Sequence, residues 1–267
     1  MRPDSNYFSR HVTFTDMGSP HYVMSIELLR DKIPDPGRHP FNIPSFRNFE
    51  RLELHPRCNF FIGENGSGKS TLLEAMAIKL EFNPEGGTKN MRFGTRDSHS
   101  DLDKHLRLAR HPQHRPMDGF FFRAESFFNV ATHIEELDDG PGGPQIIWSY
   151  GNKSLHEQSH GESFLALMTH RIDGHGIYLL DEPEAALSPQ RQLAILSRIH
   201  DLVVDHSQFV IATHSPILMA YPDAWIFEFT SEGIKRVEYR DTEHYQVTKS
   251  FLENPDRMLD VLMGRLL

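Results

Sequence analysis

Short apolar runs recur along the chain, separated by segments rich in proline, glycine and polar residues. Residues 1–20 are polar and predict an irregular arm, and residues 22–29 carry strand-like apolar content. Residues 33–37 read as a loop, and residues 46–54 alternate well enough for an antiparallel strand. A short apolar strand over 58–62 precedes a helix running from about residue 69 to Leu80, which residues 83–87 end. Leu102, Leu106 and Ala109 are spaced to form one helical face. Residues 119–123 predict a buried strand, 138–144 a Gly/Pro loop, 162–171 a helix and 176–180 another buried strand. Residues 189–204 form the strongest helical pattern, with apolar positions at Leu193, Leu196, Ile199 and Val203. A strand follows at 209–212. Residues 242–254 predict a helix that stops before Pro255, and 258–263 are apolar on one side. Alternating strands and helices predict an α/β fold with a mainly parallel sheet flanked by helices.

The chemistry sits in the joints of this pattern. Gly63-Glu-Asn-Gly-Ser-Gly-Lys-Ser70 lies between a strand and a helix, the setting a phosphate-binding loop requires. Asn65, Gly66, Ser67, Gly68, Lys69, Ser70 and Thr71 are the expected ATP contacts. Gly66 and Gly68 lack a Cβ, so backbone N–H groups can turn toward one point, and the following helix adds the positive end of its dipole. Lys69 supplies a point charge for the β/γ-phosphates and Ser70 a hydroxyl for Mg²⁺.

The strand at 176–180 runs into Asp181 and Glu182. Asp181 is placed to hold the same Mg²⁺, and Glu182 to polarise an attacking water. Ser159 with Glu162 three residues later reads as a capping box opening a helix, which is a second anion-binding end. His214 directly follows the strand at 209–212 and would reach the phosphate edge; a structural role is the competing reading.

In order, these blocks resemble the ATP-binding cassette (ABC) ATPases over most of residues 22–216. The resemblance implies that Lys69, Glu182 and His214 are catalytic, His214 as the switch histidine that contacts the γ-phosphate. Ser159, Gly161 and Glu162 take the place of the signature sequence, where Ser159 and Gly161 would contact ATP bound to another subunit. Ala186-Leu-Ser188 resembles the loop between subunits. Glu125 stands where that family carries a glutamine and is a further candidate for the metal. The segment Phe46-Arg-Asn-Phe before the P-loop resembles the SMC and RecF branch. The implied form is one ABC-type domain over 1–267: arm 1–20, N-terminal antiparallel strands 22–62 and an insert with a small helical lobe over 88–158. Signature, Walker B and switch histidine occupy 159–216, and a C-terminal extension 217–267.

Composition narrows the partners. The chain of 267 residues has a net charge of −9, which argues against broad coating of a polyanion, while residues 89–115 are locally basic. A lone cysteine, Cys58, excludes an intrachain disulfide and reads as a core residue. No apolar run reaches membrane-spanning length and no signal core opens the chain, so a cytoplasmic protein without a membrane partner is expected. The expected function is Mg²⁺-dependent ATP hydrolysis by a nucleotide-sandwich homodimer in a DNA-associated or defence-type process. The alternatives are an ATP-gated module controlling a nuclease or toxin partner, and the ATP-binding subunit of a transporter.

Overall fold

The computed structural model describes residues 20–89, 91, 100–138, 148, 150, 156 and 158–265. The expected arm at 1–20 falls outside them except for Pro20. So do Arg92, Arg96, His99 and most of the Gly/Pro loop.

Six strands make the main sheet: β3 (Cys58–Gly63), β5 (Asp118–Arg123), β6 (Gly176–Asp181), β7 (Gln208–Ala212), β8 (Trp225–Thr230) and β9 (Gly233–Val237), in the order β5-β6-β7-β3-β8-β9. The first five are mutually parallel, and β9 closes the edge antiparallel to β8. A smaller antiparallel sheet is built from β1 (Val23–Leu28), β2 (Arg51–Glu53) and β4 (Leu106–Arg110), with β1 in the centre.

The period of two in the apolar strands divides the core. Phe60, Phe122, Tyr178, Leu180, Phe209 and Ile211 face one side, where they pack with α2 (Phe127–Asp138), α3 (His160–Ala166) and α4 (Pro189–Val204). Phe61, Phe121, Ile177, Leu179, Val210 and Ala212 face the other, against α1 (Lys69–Lys79) and the antiparallel sheet. The amide of Gln208 ties the two sheets together: it accepts from Val23 N at 2.9 Å and donates to Val23 O at 2.9 Å and His55 O at 3.0 Å. A buried amide with its bonds made in this way fixes one registry of the layers.

Four expectations change. Leu102, Leu106 and Ala109 do not share a helix. Asp101–His105 is a short 3₁₀ turn, and β4 then pairs with β1, placing Leu106 opposite Leu28 and Leu108 opposite Ile26. Leu102 and Leu106, four residues apart, would share a face in a strand as well as in a helix, and pairing of Leu106 with β1 decides between them. Second, the alternation over 46–54 yields only β2. Pro44 opens a 3₁₀ turn, and Phe46 and Phe49 reach the core from that turn and the segment after it. Third, the buried stripe of α4 is Ile195, Ile199, Leu202 and Val203, whereas Leu193 is 58% exposed. Fourth, part of the C-terminal region 217–267 belongs to the main sheet, because β8 lies directly beside β3. The chain then ends its described part in α5 (Glu243–Glu253) and α6 (Pro255–Leu262), neither of which buries a residue completely.

The stripe on α4 is open to a direct test. Ile199→Ala should lower stability by roughly 2–5 kcal/mol, and Leu193→Ala by no more than about 0.5 kcal/mol, in denaturant unfolding. Equal losses would place the helix in the register first read from the sequence.

Candidate functional site

Parallel pairing sets the site before any side chain is considered. In the ladders Asp181 lies opposite Ala212 and Phe61 opposite Ala212. The loops that leave β3, β6 and β7 therefore emerge together at the carboxyl edge of the sheet, where ligands of open parallel sheets bind.

The loop after β3 is shaped by glycines. Gly63 has φ +134°, and a Cβ there would stand 2.4 Å from Phe229 O on β8. Gly68 has φ +102°, and a Cβ would stand 2.9 Å from the ring of Phe46. Both positions reject a side chain twice over, by dihedral and by space. Gly68 is also the N-cap of α1 and makes no side-chain cap bond, so the first N–H groups of the helix stay available for an anion.

Lys69 is buried and its Nζ donates to Gly63 O at 2.8 Å and Glu64 O at 2.9 Å. Burial lowers its pKa, against the pull of Glu182, Asp181 and Glu184. Ser70 Oγ donates to Asp181 Oδ1 at 2.9 Å. Burial pushes the Asp181 carboxyl up to about 6; the Ser70 bond and Arg123 oppose that rise, and Glu182 and Glu125 add to it. Asp181 is thus a desolvated carboxylate with little counter-charge of its own.

Glu182 adopts left-handed backbone angles, φ 50° and ψ 51°, where the strand ends, and its side chain is partly exposed. Its Oε1 lies 3.8 Å from His214 Nε2. The backbone N–H of His214 donates to Glu184 Oε1 at 2.5 Å, and burial raises the pKa of that carboxyl. Burial lowers the pKa of His214, with Lys69 acting in the same direction and Glu182 against it. His214 is therefore neutral near pH 7.

Beside these groups lies a cavity of about 1270 Å³. Residues 63–67, Ser70, Glu125, Glu182 and His214 line it, including Asn65, Gly66 and Ser67 of the P-loop. Gly68, Lys69 and Thr71 complete the loop and the first helical turn. Glu125 stands on a 3₁₀ turn after β5, with its side chain 81% exposed. Ser159, Gly161 and Glu162 are not part of this wall. Ser159 caps α3 in a capping box with Glu162, whose carboxylate also meets Arg191 at 3.4 Å. Ser188 caps α4.

Four residues of the site were not legible as such. Arg123 ends β5 across from Asp181; its Nη1 donates to Glu74 at 2.6 Å, and its Nε lies 3.8 Å from Asp181 Oδ2. The charge that ends an apolar run was the available signal for it. Glu74 is a single acid inside α1, and Glu184 and His244 are brought in by tertiary packing alone.

Among the described residues no group of three or more His, Cys, Asp or Glu side chains is arranged to hold a metal ion, and His111 and His114 stack at 4.2 Å. Three of the described basic residues are engaged, Lys104 with Asp101, Arg107 with Glu27 and Arg110 with the carbonyl of Lys79. Cys58 is buried, and desolvation pushes its thiol up. Among the described residues no helix is long and apolar enough to cross a membrane.

A family model described as an AAA domain matches residues 41–106. The DNA replication and repair protein RecF of Colwellia psychrerythraea is 62% identical over 34 residues, 12% of this chain and 9% of that protein. The hemin import ATP-binding protein HmuV of Nocardia farcinica is 30% identical over 174 residues, 61% of this chain and 59% of that protein. Each match thus spans less than two thirds of the relative's length. Among solved structures, the ATP-binding cassette MJ1267 is 14% identical with a TM-score of 0.49, covering 88% of this chain and 96% of that one. The SMC head domain from Thermotoga maritima is 16% identical with a TM-score of 0.42, covering 81% and 99%. The described residues form an α/β fold with a mainly parallel sheet, and the chain is similar in sequence to RecF over a short segment and to the ATP-binding protein HmuV over a longer one.

Proposed function

We propose that this protein binds ATP with Mg²⁺, hydrolyses it, and closes as a homodimer around two nucleotides. The observation that carries this reading is that Ser70, Glu182 and His214 line one cavity at one edge of the sheet, with Asp181 bonded to Ser70 and Lys69 bonded to the loop carbonyls of the cavity wall. Lys69 is held on two carbonyls that a phosphate oxygen can replace, exchanging neutral acceptors for a charged one. The backbone N–H groups of residues 66–71 take up further phosphate charge. Glu182 accepts a hydrogen bond from the attacking water and so raises its nucleophilicity. His214 donates to the terminal phosphate.

The donor set fits Mg²⁺. A hydroxyl and a buried carboxylate lie 2.9 Å apart, and burial raises the pKa of the carboxyl in spite of Arg123. Ser70 and Asp181 would hold the ion, which when bound neutralises charge on the β- and γ-phosphate oxygens.

The dimer reading rests on the signature segment. Ser159 and Glu162 are exposed and lie outside the wall of their own cavity, which suits a role against the nucleotide of a second copy. The RecF matches favour a DNA-associated process, in which a nuclease or toxin partner is one form of output. The longer HmuV match favours the transporter-subunit reading instead. DNA-stimulated turnover would support the first, and co-purification with a membrane subunit the second.

Three outcomes test the site. Glu182→Gln should cut turnover by about 10² or more and accumulate an ATP-bound dimer in size-exclusion chromatography; unchanged turnover would remove Glu182 from its role. Lys69→Ala should weaken nucleotide binding by roughly 10–100-fold in titration calorimetry. Asp181→Asn addresses the buried carboxylate. Its raised pKa means that the folded state holds a proton the unfolded chain releases, so wild-type stability falls as pH rises from 3.8 to about 6. Without Mg²⁺ or nucleotide the Asn variant should therefore be more stable than wild type at pH 7.5, by about 3 kcal/mol. The difference should shrink below pH 5. A less stable variant at pH 7.5 would show that the carboxylate is already compensated.

A further inference from the structure

The C-terminal helix α5 brings one titratable side chain into the site, and no part of the nucleotide-binding pattern accounts for it. His244, in the first turn of α5, puts its Nε2 3.3 Å from His214 Nδ1. One other contact fastens this turn to the loop after β7, and a buried cap orders the turn itself. Tyr239 Oη donates to Pro216 O at 2.9 Å, and Thr242, fully buried, caps α5 by accepting from Tyr245 N at 3.2 Å. The tip of α5 is thus built against the residues that follow His214, and Val247 and Thr248 continue along the cavity wall.

The contact between the two imidazoles requires a single proton. Burial lowers the pKa of His244, as it does that of His214, so both rings are neutral and each carries one N–H. If His214 donated from Nδ1, its bare Nε2 lone pair would face the Glu182 carboxylate 3.8 Å away. His244 would then carry its own proton on Nδ1, which is buried with no partner. If His244 donates instead, His214 is bare at Nδ1 and carries its proton at Nε2, facing Glu182 and the cavity. Each arrangement leaves one buried N–H and one bare ring nitrogen without a hydrogen-bond partner, but in the second the unpaired N–H is that of His214 Nε2, which faces the Glu182 carboxylate at 3.8 Å in place of a lone pair.

We propose that His244 is a positioning residue whose Nε2–H donates to His214 Nδ1, holding His214 in the Nε2–H form that can donate to the terminal phosphate of ATP. The assignment of His214 to the phosphate rests on the function proposed above; the tautomer does not. The consequence is that the C-terminal helix is part of the switch, since any displacement of α5 releases His214 to the form that offers a lone pair to an anion.

Two measurements test this, and the first is independent of ATP turnover. In the full chain with ¹⁵N-labelled histidine and no nucleotide, His214 should show a bare Nδ1 and a protonated Nε2. His244→Leu should abolish that preference, and His244→Gln, whose amide N–H stands near the position of the imidazole Nε2, should keep it. A protonated Nδ1 on His214 in the wild-type chain overturns the proposal. In ATP hydrolysis, His244→Leu should lower kcat on the order of 10–100-fold with KM little changed, and His244→Gln should recover most of the loss. The double variant His214→Ala/His244→Leu should be no slower than His214→Ala. Multiplying losses, or a Gln variant as slow as Leu, would reduce His244 to a packing residue. A wild-type chain that shows the expected tautomer and no ATP turnover would count against the function proposed above and leave this hydrogen bond standing.

Discussion

A carboxylate buried at the end of a strand, with one hydroxyl bond and a guanidinium 3.8 Å away, is the constraint on which the site depends. Asp181 could be made comfortable in two ordinary ways: exposure to water or a close Arg or Lys. It has neither. Arg123 is directed mainly to Glu74, which it meets at 2.6 Å, and only its Nε approaches Asp181. Lys69 spends two of its three donors on backbone carbonyls of its own loop. The basic groups are thus near but occupied, and the rise of the Asp181 pKa to about 6 records the deficit. Such stored electrostatic cost is common at sites that take a cation or a charged ligand, and uncommon where a residue serves only packing.

The sheet converts this local cost into a composite site. Because β6 sits between β5 and β7, and β7 between β6 and β3, three loops and one charged strand end converge without any long side chain having to reach. Antiparallel pairing among these four strands would have sent half of the groups to the opposite edge. The glycines at 63 and 68 then let the loop lie flat against Phe229 and Phe46, so that the backbone itself forms the floor. Both aromatic neighbours come from elsewhere in the chain, the adjacent strand β8 and the turn before β2. The shape of the P-loop is therefore a property of the tertiary fold as well as of its own residues.

What the sequence revealed follows from this division. Gly63–Ser70 and the Asp181-Glu182 pair were readable because their chemistry and their secondary-structure context lie in one stretch of chain. The alternation of core strands was readable for the same reason: Phe60/Phe61 and Leu179/Leu180 announce two buried faces. The register of α4 was not, since Leu193, Ile195 and Leu196 offer overlapping stripes and only the neighbours on the sheet select Ile195 and Ile199. The leucines at 102 and 106 suited either period, and β1 was the arbiter. His244 carried no signal at all: thirty residues from His214 in an otherwise polar helix, it acquires meaning only through α5's docking at Tyr239 and Thr242.

That docking also bears on how a site of this kind can be linked to something outside it. Helix α5 has one face toward the cavity, through His244, Val247 and Thr248, and its far end leads directly into α6 through the cap of Asn254. Neither helix is anchored by a fully buried side chain, so their hold on the body is a few hydrogen bonds and ring contacts such as Tyr239 on Tyr245 at 4.8 Å. An element attached so lightly opens at much lower free energy than the core strands do. A nucleotide phosphate that engages His214 pulls on one end of the His214–His244 contact, and a load on α6 would pull on the other. On the proposed reading, a lightly attached helix is also the one that touches the phosphate-facing histidine, and a light attachment at that point lets a small difference in binding energy decide the position of the helix.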